Sequence, residues 1–427
     1  MPRPSSSLEE VDAWGTSRRS RLFAGPRLVH ADLHNHTLLS DGKGDPAKAF
    51  GCMREAGLDV AAITDHSRWA SAFLGLVGAP GWTGIDGTAW RRTASLADAA
   101  NVDGEFVALR GFEWSHAAFG HMNVWGSERF TDPLRSAPTM ARFWRWLEAR
   151  GHDGLVGFNH PGTGRLRFGG FGYRPAMAQR VVSLEVFNKK EDYLFKDVDL
   201  GKQSPIVQCL DAGWRVGLLG VTDEHGPDWG TPEGKGRAGL YVDECSRRGV
   251  AEALAARRFF ASRIKGLRVD AAVTSLAPLR ESATPRPRAR MGAALAHPGG
   301  RALVEIDVDR GTAWRGRPLN VQVLRPGRPM PTLAAALDVR LPGPDEPVIA
   351  FELDLDPAEG DWMVLRLSDP SEPADPRAPG QYARLGRGIA YTSPFWLEPG
   401  LPSRPDRRTR PAPRTGDIAD SRSAAGA

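Results

Sequence analysis

Between Leu28 and about Asp270, short apolar runs alternate with amphipathic stretches. This alternation constrains the chain more than any other feature, because it favours βα units over a bundle or an all-β domain. The candidate strands are 28–33, 58–63, 105–112, 154–158, 181–187 and 216–221. Helical patterns lie between them. Residues 46–56 open with Pro46 at a plausible first helical position and stop before Gly57. Residues 138–150 repeat that signature before Gly151, and 247–259 close the series. Residues 278–290 (PLRESATPRPRAR) are too rich in Pro and Arg for a helix or strand and read as a linker or long loop. The runs at 302–308, 319–324, 347–355 and 361–367 have no helical stretches between them, which favours a small antiparallel sandwich. The expected organisation is a loose leader over 1–29, a βα domain over 30–270, and a linker with the start of a second domain over 271–303. A β-rich domain over 304–398 and a disordered tail over 399–427 follow.

The 427 residues exceed one average domain, and no apolar run reaches the roughly 20 residues of a membrane span. The N-terminus has no apolar signal core. Three distant cysteines exclude a disulfide framework and fit a reducing cytoplasm. The net charge of +5 lies in the tails: five Arg and three acids in 1–29, and six Arg and three Asp in 401–427. A neutral residue 30–400 body argues against a basic nucleic-acid groove.

Nine of the ten histidines precede residue 226, several of them just after a candidate strand. In βα barrels, active sites gather at the C-terminal strand ends. In 32-DLHNHTLLSDG-42, His34 and His36 are two apart on an extended segment and so face one side, with Asp41 after a short turn. Two imidazoles and a carboxylate are a metal-binding set, although HxH alone equally describes two surface histidines. His66 ends the next strand, beside Asp65, which could orient a neighbouring imidazole or cap the strand. In 111-GFEWSHAAFGHMNVWG-126, the two oxygens of Glu113 could bridge two cations, His121 starts the next extended piece, and His116 reads as a solvated loop residue. His160 follows an apolar strand. Asp223 and His225 repeat the i, i+2 geometry, so Glu224 should point away from them. Glu185 and Asn188 stand near another strand end, in a lining or a structural role. Together these give six His, two Asp and one Glu at successive strand ends, a site for two or three divalent cations. Nitrogen and oxygen donors suit Zn, Mn or Fe. No GxSxG elbow, Cys–His pair or Gly-rich phosphate loop competes with this reading.

HxHxxxxD, TDH, a downstream Glu, two spaced His and a late DxH resemble the PHP (polymerase and histidinol phosphatase) superfamily over residues 30–270. The stretches GFEW…GHMN, FNHPG and SLEVFN, and less specifically 391-YTSPFWLEP-399, are most similar to its carbaryl-hydrolase-like branch. The resemblance implies a distorted (β/α)7 PHP-type barrel followed by a small C-terminal β-sandwich-like domain. It also implies one metal on His34, His36, Glu113 and Asp223, and a second on Glu113, His121 and His160. A third would sit on Asp41, His66 and His225. Glu113, Asp223 and His160 would then serve catalysis, with a metal-activated water attacking an ester.

A small-molecule phosphoester is the favoured substrate. Arg165, five residues after His160, carries a planar fork suited to phosphate; Arg68 is a weaker candidate, and a solvated loop arginine is the alternative for both. A carboxylester or carbamate hydrolase is the rival, with Phe112, Trp114, Phe119 and Trp125 as an aryl pocket or as barrel packing. A metal-holding module without turnover is a third possibility. The oligomeric state is not legible from the sequence.

Overall fold

The computed structural model describes residues 11–67, 84–134, 136–149, 154–162, 164, 166–277 and 286–399. The first part contains β1 (Arg27–Asp32), α1 (Pro46–Glu55), β2 (Val60–Ile63), α2 (Gly87–Ala100), β3 (Val107–His116), β4 (Gly120–Trp125), α3 (Met140–Glu148) and β5 (Leu155–Phe158). It continues through β6 (Val181–Asn188), β7 (Glu191–Asp192), α4 (Pro205–Asp211), β8 (Gly217–Val221), β9 (Arg237–Val242), α5 (Arg247–Ala255) and β10 (Phe259–Ser262). The C-terminal part is strands: β11 (Arg268–Ser275), β12 (Arg288–Arg290), β13 (Ala294–Ala296), β14 (Gly300–Asp309) and β15 (Pro318–Arg325). They are followed by β16 (Thr332–Arg340), β17 (Ile349–Leu355), β18 (Trp362–Asp369), β19 (Arg387–Thr392) and β20 (Phe395–Glu398).

Local chemistry sets the helix ends. The Asp45 carboxylate accepts from the Ala47 amide at the start of α1, and Pro46 stands where no amide partner is needed. Gly57 then turns the chain at φ +87°, where a side chain would also strike the Trp14 ring. The Thr139 hydroxyl accepts from the Arg142 amide and starts α3, which buries Met140, Phe143, Trp144 and Leu147.

The molecule is a mixed α/β fold around a large sheet. Its path runs β10-β9-β1-β2-β3-β4-β5-β6, with β8 paired on β6. β1, β2 and β3 are mutually parallel, as are β5, β6 and β8. β4 and β9 run antiparallel to their neighbours. The sheet curls: a Cβ on Gly220 of β8 would strike the backbone of Arg237 in β9, and one on Gly217 would strike Phe259 in β10. β19 pairs with β10 and carries the sheet into the C-terminal part. A second sheet, β12-β11-β14-β17, supplies Val269, Val273, Val304 and Ile306 to a core completed by Val321, Val323, Leu365 and Leu367 of the large sheet.

Several expectations are corrected. Residues 11–29 are not a loose leader. Asp12 accepts from the Trp14 and Thr16 amides, each at 2.9 Å, and lies 3.0 Å from His30 Nε2; Arg18 pairs with Asp59 at 2.6 Å. The helix expected over 247–259 ends at Ala255, because Arg257 at φ +55° turns the chain into the Phe-rich β10. The end of the expected linker is strand β12, held because Arg290 grips Asp270 through two hydrogen bonds of 2.9 and 2.6 Å. β11 begins at Arg268 and pairs along its length with β14, so the second sheet starts ahead of residue 271. Residues 278–285 and the tail from 400 onward lie outside the described residues. Among the described residues no helix is long and apolar enough to cross a membrane.

Candidate metal centre

β1 delivers Asp32, and the chain stays extended through His36, whose amide donates to the Glu224 carbonyl at 2.9 Å. Alternation does the rest. Asn35 turns away to donate to the Asp32 and Ala62 carbonyls. His34 and His36 project together, with their Nε2 atoms 3.0 Å apart. A tight turn then brings Asp41 round. It needs Gly42, where a Cβ would lie 2.6 Å from the His36 and Thr37 backbone.

Glu113 is at the centre, on β3 and fully buried. Its Oε1 lies 3.3 Å from His34 Nε2, 3.3 Å from His121 Nδ1 and 3.2 Å from His160 Nε2. Its Oε2 lies 2.5 Å from His66 Nδ1 and 3.9 Å from His36 Nε2. Asp223 Oδ1 stands 3.3 Å from His36, 3.4 Å from His225 and 3.6 Å from His34. Asp41 Oδ2 faces His66 at 3.3 Å and His225 at 3.5 Å.

All nine sequence candidates thus converge. Their donor atoms form four sets, each within 4.8 Å: His36/Asp41/His66/His225, His34/His36/Asp223, His34/Glu113/His160 and His66/Glu113/His121. The partition differs from the one the family resemblance implies: His160 and His121 both face Glu113 Oε1 but share no set.

The surrounding residues fix the ring orientations. Glu185 accepts from His34 Nδ1 at 2.7 Å, which leaves His34 Nε2 facing the cluster. Glu185 also accepts from the His160 amide at 2.6 Å and from Asn188 at 2.9 Å. Asn159 donates to Glu113 Oε1 at 2.7 Å, a partner the sequence gave no reason to single out. The Asp223 carbonyl, 3.0 Å from His225 Nδ1, aims His225 Nε2 at Asp41. His160, Asp223 and Lys189 all have positive φ (26°, 47° and 52°). Such backbone costs about 1–3 kcal/mol per residue and collects at functional sites.

The electrostatics bear on what the cluster can hold. Burial alone would raise the Glu113 carboxyl, but His121, His66 and His34 outweigh it and hold the group well below the carboxylate range. Burial likewise opposes ionisation of Asp223, and His34 and His36 overcome it. Burial would lower His66, yet Glu113 and Asp41 push it up to about 10. His34 rises against its own burial through Asp223, Glu185 and Glu113. His36, buried beside His66, falls to about 3. Protonated imidazoles therefore balance the carboxylates, the position a cation would take with proton release. His36 Nδ1 and Asp223 Oδ1 are buried without a hydrogen-bond partner among the described residues, as donors reserved for a cation would be. The donor set and these two atoms fit divalent metal.

Of the other expectations, some change and some hold. Asp65 orients no imidazole; it accepts from the Thr37 amide, the Thr37 hydroxyl (both 2.7 Å) and the Ser40 hydroxyl (2.6 Å), and so fixes the turn that carries Asp41. Glu224 points away and pairs with Lys235. His116 caps its own loop by accepting from the Ala118 and Phe119 amides. Phe112, Trp114 and Trp125 are core residues rather than an aryl pocket: Trp114 stacks on Phe143 at 4.5 Å, and the Trp125 indole donates to the Leu33 carbonyl. Arg165 and Arg68 lie outside the described residues. The cation the structure does place here is Lys189, with Nζ 3.3 Å from Asp223 Oδ2. Its only sequence signal was its place just after the β6 strand end.

No protein-family model matches the sequence, and no curated protein matches it. Among solved structures, the chain is similar to a two-domain protein of Bacteroides vulgatus ATCC 8482 described as containing a predicted PHP-like metal-dependent phosphoesterase. That likeness has 15% identity and a TM-score of 0.41, over 87% of this chain and 96% of that one. A protein of Bifidobacterium adolescentis ATCC 15703, described as a candidate metal-dependent phosphoesterase, is similar at 13% identity and a TM-score of 0.27. It covers 46% of this chain and 88% of that one. At such scores neither likeness fixes the fold or the chemistry of this chain, and neither addresses the carbaryl-hydrolase branch.

Proposed function

We propose that this chain is a PHP-type hydrolase that holds two or three divalent cations (Zn, Mn or Fe) and cleaves phosphoesters of small molecules. The observation that carries the reading is the single buried Glu113 carboxylate, whose two oxygens face separate imidazole sets. The curled large sheet would then be the distorted seven-stranded barrel, with the cluster at the C-terminal ends of β1, β2, β5 and β8 and on β3 and β4. Clustered cations lower the pKa of water and neutralise charge on phosphoryl oxygens.

The protein's own groups do the rest. Glu113 and Asp223, both held ionised, anchor the cluster, and His34 is kept in one orientation by Glu185. His160, partly exposed and fixed through its amide by Glu185, presents its ring beside Glu113, where it would hold a cation at the substrate-facing side of the cluster. Lys189, half-exposed beside Asp223, is placed to meet an anionic substrate group; Arg165 would join it from the rim. Phe112, Trp114 and Trp125 are in the core and Phe119 is partly buried, so among the described residues these four give the carbamate reading little support. The three free cysteines suit a reducing cytoplasm.

The test is a panel of phosphomonoesters, phosphodiesters, carboxylesters and carbamates on protein reconstituted with each metal. Phosphoester turnover with competitive inhibition by inorganic phosphate is expected. Turnover of carboxylesters or carbamates alone, with every phosphoester inert, would overturn the substrate class.

A further inference from the structure

A second polar cavity, of about 280 Å³, lies at the seam between the βα part and the C-terminal strands. That volume equals roughly nine waters. Lys190 from the β6–β7 turn, Arg263 just after β10, and Arg387 at the start of β19 line it, with Glu233 and Glu372. The carboxylates are already used. Glu372 pairs with Arg387 at 2.9 Å, and Glu233 pairs with Lys265 at 3.2 Å. Just behind the wall, Asp375 pairs with Arg377 at 3.0 Å. Asp192 lies 3.9 Å from the fully buried Arg366 and is the carboxylate whose field also reaches Arg263 most strongly. Among the described residues neither Lys190 nor Arg263 has a carboxylate within ion-pair distance. The cavity lining therefore carries three cationic side chains to two carboxylates.

Arg263 is the more telling of the two. It is only 4% exposed, and its guanidinium is held 4.3 Å over the Phe187 ring. Its Nη2 donates to the Lys190 carbonyl at 2.8 Å, and its Nε is buried without a partner among the described residues. With Nε closed off, the guanidinium would meet an anion in the cavity through its terminal nitrogens. A planar fork beside an exposed ammonium is a receptor for an oxyanion.

We propose that this seam cavity binds a small oxyanion, a phosphate or carboxylate bearing at least two free oxygens, held by Arg263 and Lys190. The source is either a free anion or the far end of a molecule seated in the metal centre, because Lys189, next to Lys190, already reaches Asp223. The site stands whether or not the metal cluster hydrolyses anything.

Calorimetric titration of inorganic phosphate into the full chain, metal-loaded and chelator-treated, tests the proposal. Saturable binding that survives chelation is expected. Lys190→Ala changes an exposed residue and should fold normally; loss of one charge-assisted contact should weaken phosphate about tenfold. Arg263→Gln should remove binding altogether, and if it fails to fold, Lys190→Ala decides. Within a supported site, an unchanged KM for phosphomonoesters in Lys190→Ala identifies a free anion. A KM raised only for substrates with a second anionic group identifies the substrate's far end. No phosphate binding to the chelated chain, or wild-type affinity in a Lys190→Ala protein of normal melting temperature, overturns the proposal. Absence of hydrolysis with intact phosphate binding would sink the proposed function alone.

Discussion

Glu185→Gln separates orientation of the metal ligands from ligation itself. The Glu185 carboxylate is 1% exposed and accepts three hydrogen bonds, from His34 Nδ1 (2.7 Å), the His160 amide (2.6 Å) and Asn188 (2.9 Å). Glutamine is nearly isosteric but has one accepting oxygen. If that oxygen keeps His160 and Asn188, the new NH2 meets His34 Nδ1 and forces that nitrogen to accept. The ring proton then moves to His34 Nε2, the atom facing Glu113 and Asp223. If the amide flips, its NH2 opposes the His160 N–H instead. Either way a charge-assisted bond worth about 1.5–3 kcal/mol is lost. Partners of this kind typically change metal affinity 10–100-fold, or about 1.4–2.7 kcal/mol. Competition with a fluorescent chelator reads the affinity directly, and circular dichroism checks the fold. Metal affinity within about twofold of wild type in a folded Glu185→Gln protein would refute the reasoning.

Among the proposed ligands, His34→Ala and Asp223→Ala should each abolish turnover of a phosphoester while leaving the far-ultraviolet spectrum intact. His116→Ala, which alters a loop cap outside the cluster, should keep activity within a few-fold; the reverse pattern in steady-state assays would show the site misassigned. In the N-terminal segment, Asp12 sits below its usual carboxyl value because His30 and the Thr16 and Trp14 amides outweigh its burial. A depressed folded pKa gives stability that is present above the unfolded value near 3.9 and lost as pH falls below it. Asp12→Asn should therefore lower the melting temperature at pH 7, with the gap to wild type closing toward pH 3. A gap independent of pH would contradict the Asp12–His30 contact.

The site was more legible than the fold. Period two paired His34 with His36, whose segment is extended, and it also paired Asp223 with His225, which the structure holds 3.4 Å apart although Asp223 has a φ of +47°. Glu113 was found as a carboxylate ending an apolar run. Glu185 was left between two roles, since the bonds that define it come from His34, 151 positions away in sequence. Asn159 and Lys189 act through contacts of the same long-range kind. In the fold, βα alternation located β1, β2, β5, β6 and β8 closely. It missed β9 and β16, the latter an alanine-rich run (TLAAALDVR) without the β-branched signature, exposed at alternate positions on an edge of the sheet. The aromatic residues 112, 114 and 125 were open between an aryl pocket and barrel packing, and the structure settles them as core, buried by strand alternation and helix packing.

The central claim is that Glu113 joins separate cation sites. Metal content per chain, measured by plasma emission after reconstitution and removal of excess, tests it most directly in wild type and Glu113→Gln. The account predicts two or three equivalents in wild type and the loss of at least one in the folded variant. Fewer than two equivalents in wild type, or a full complement in Glu113→Gln, would contradict it.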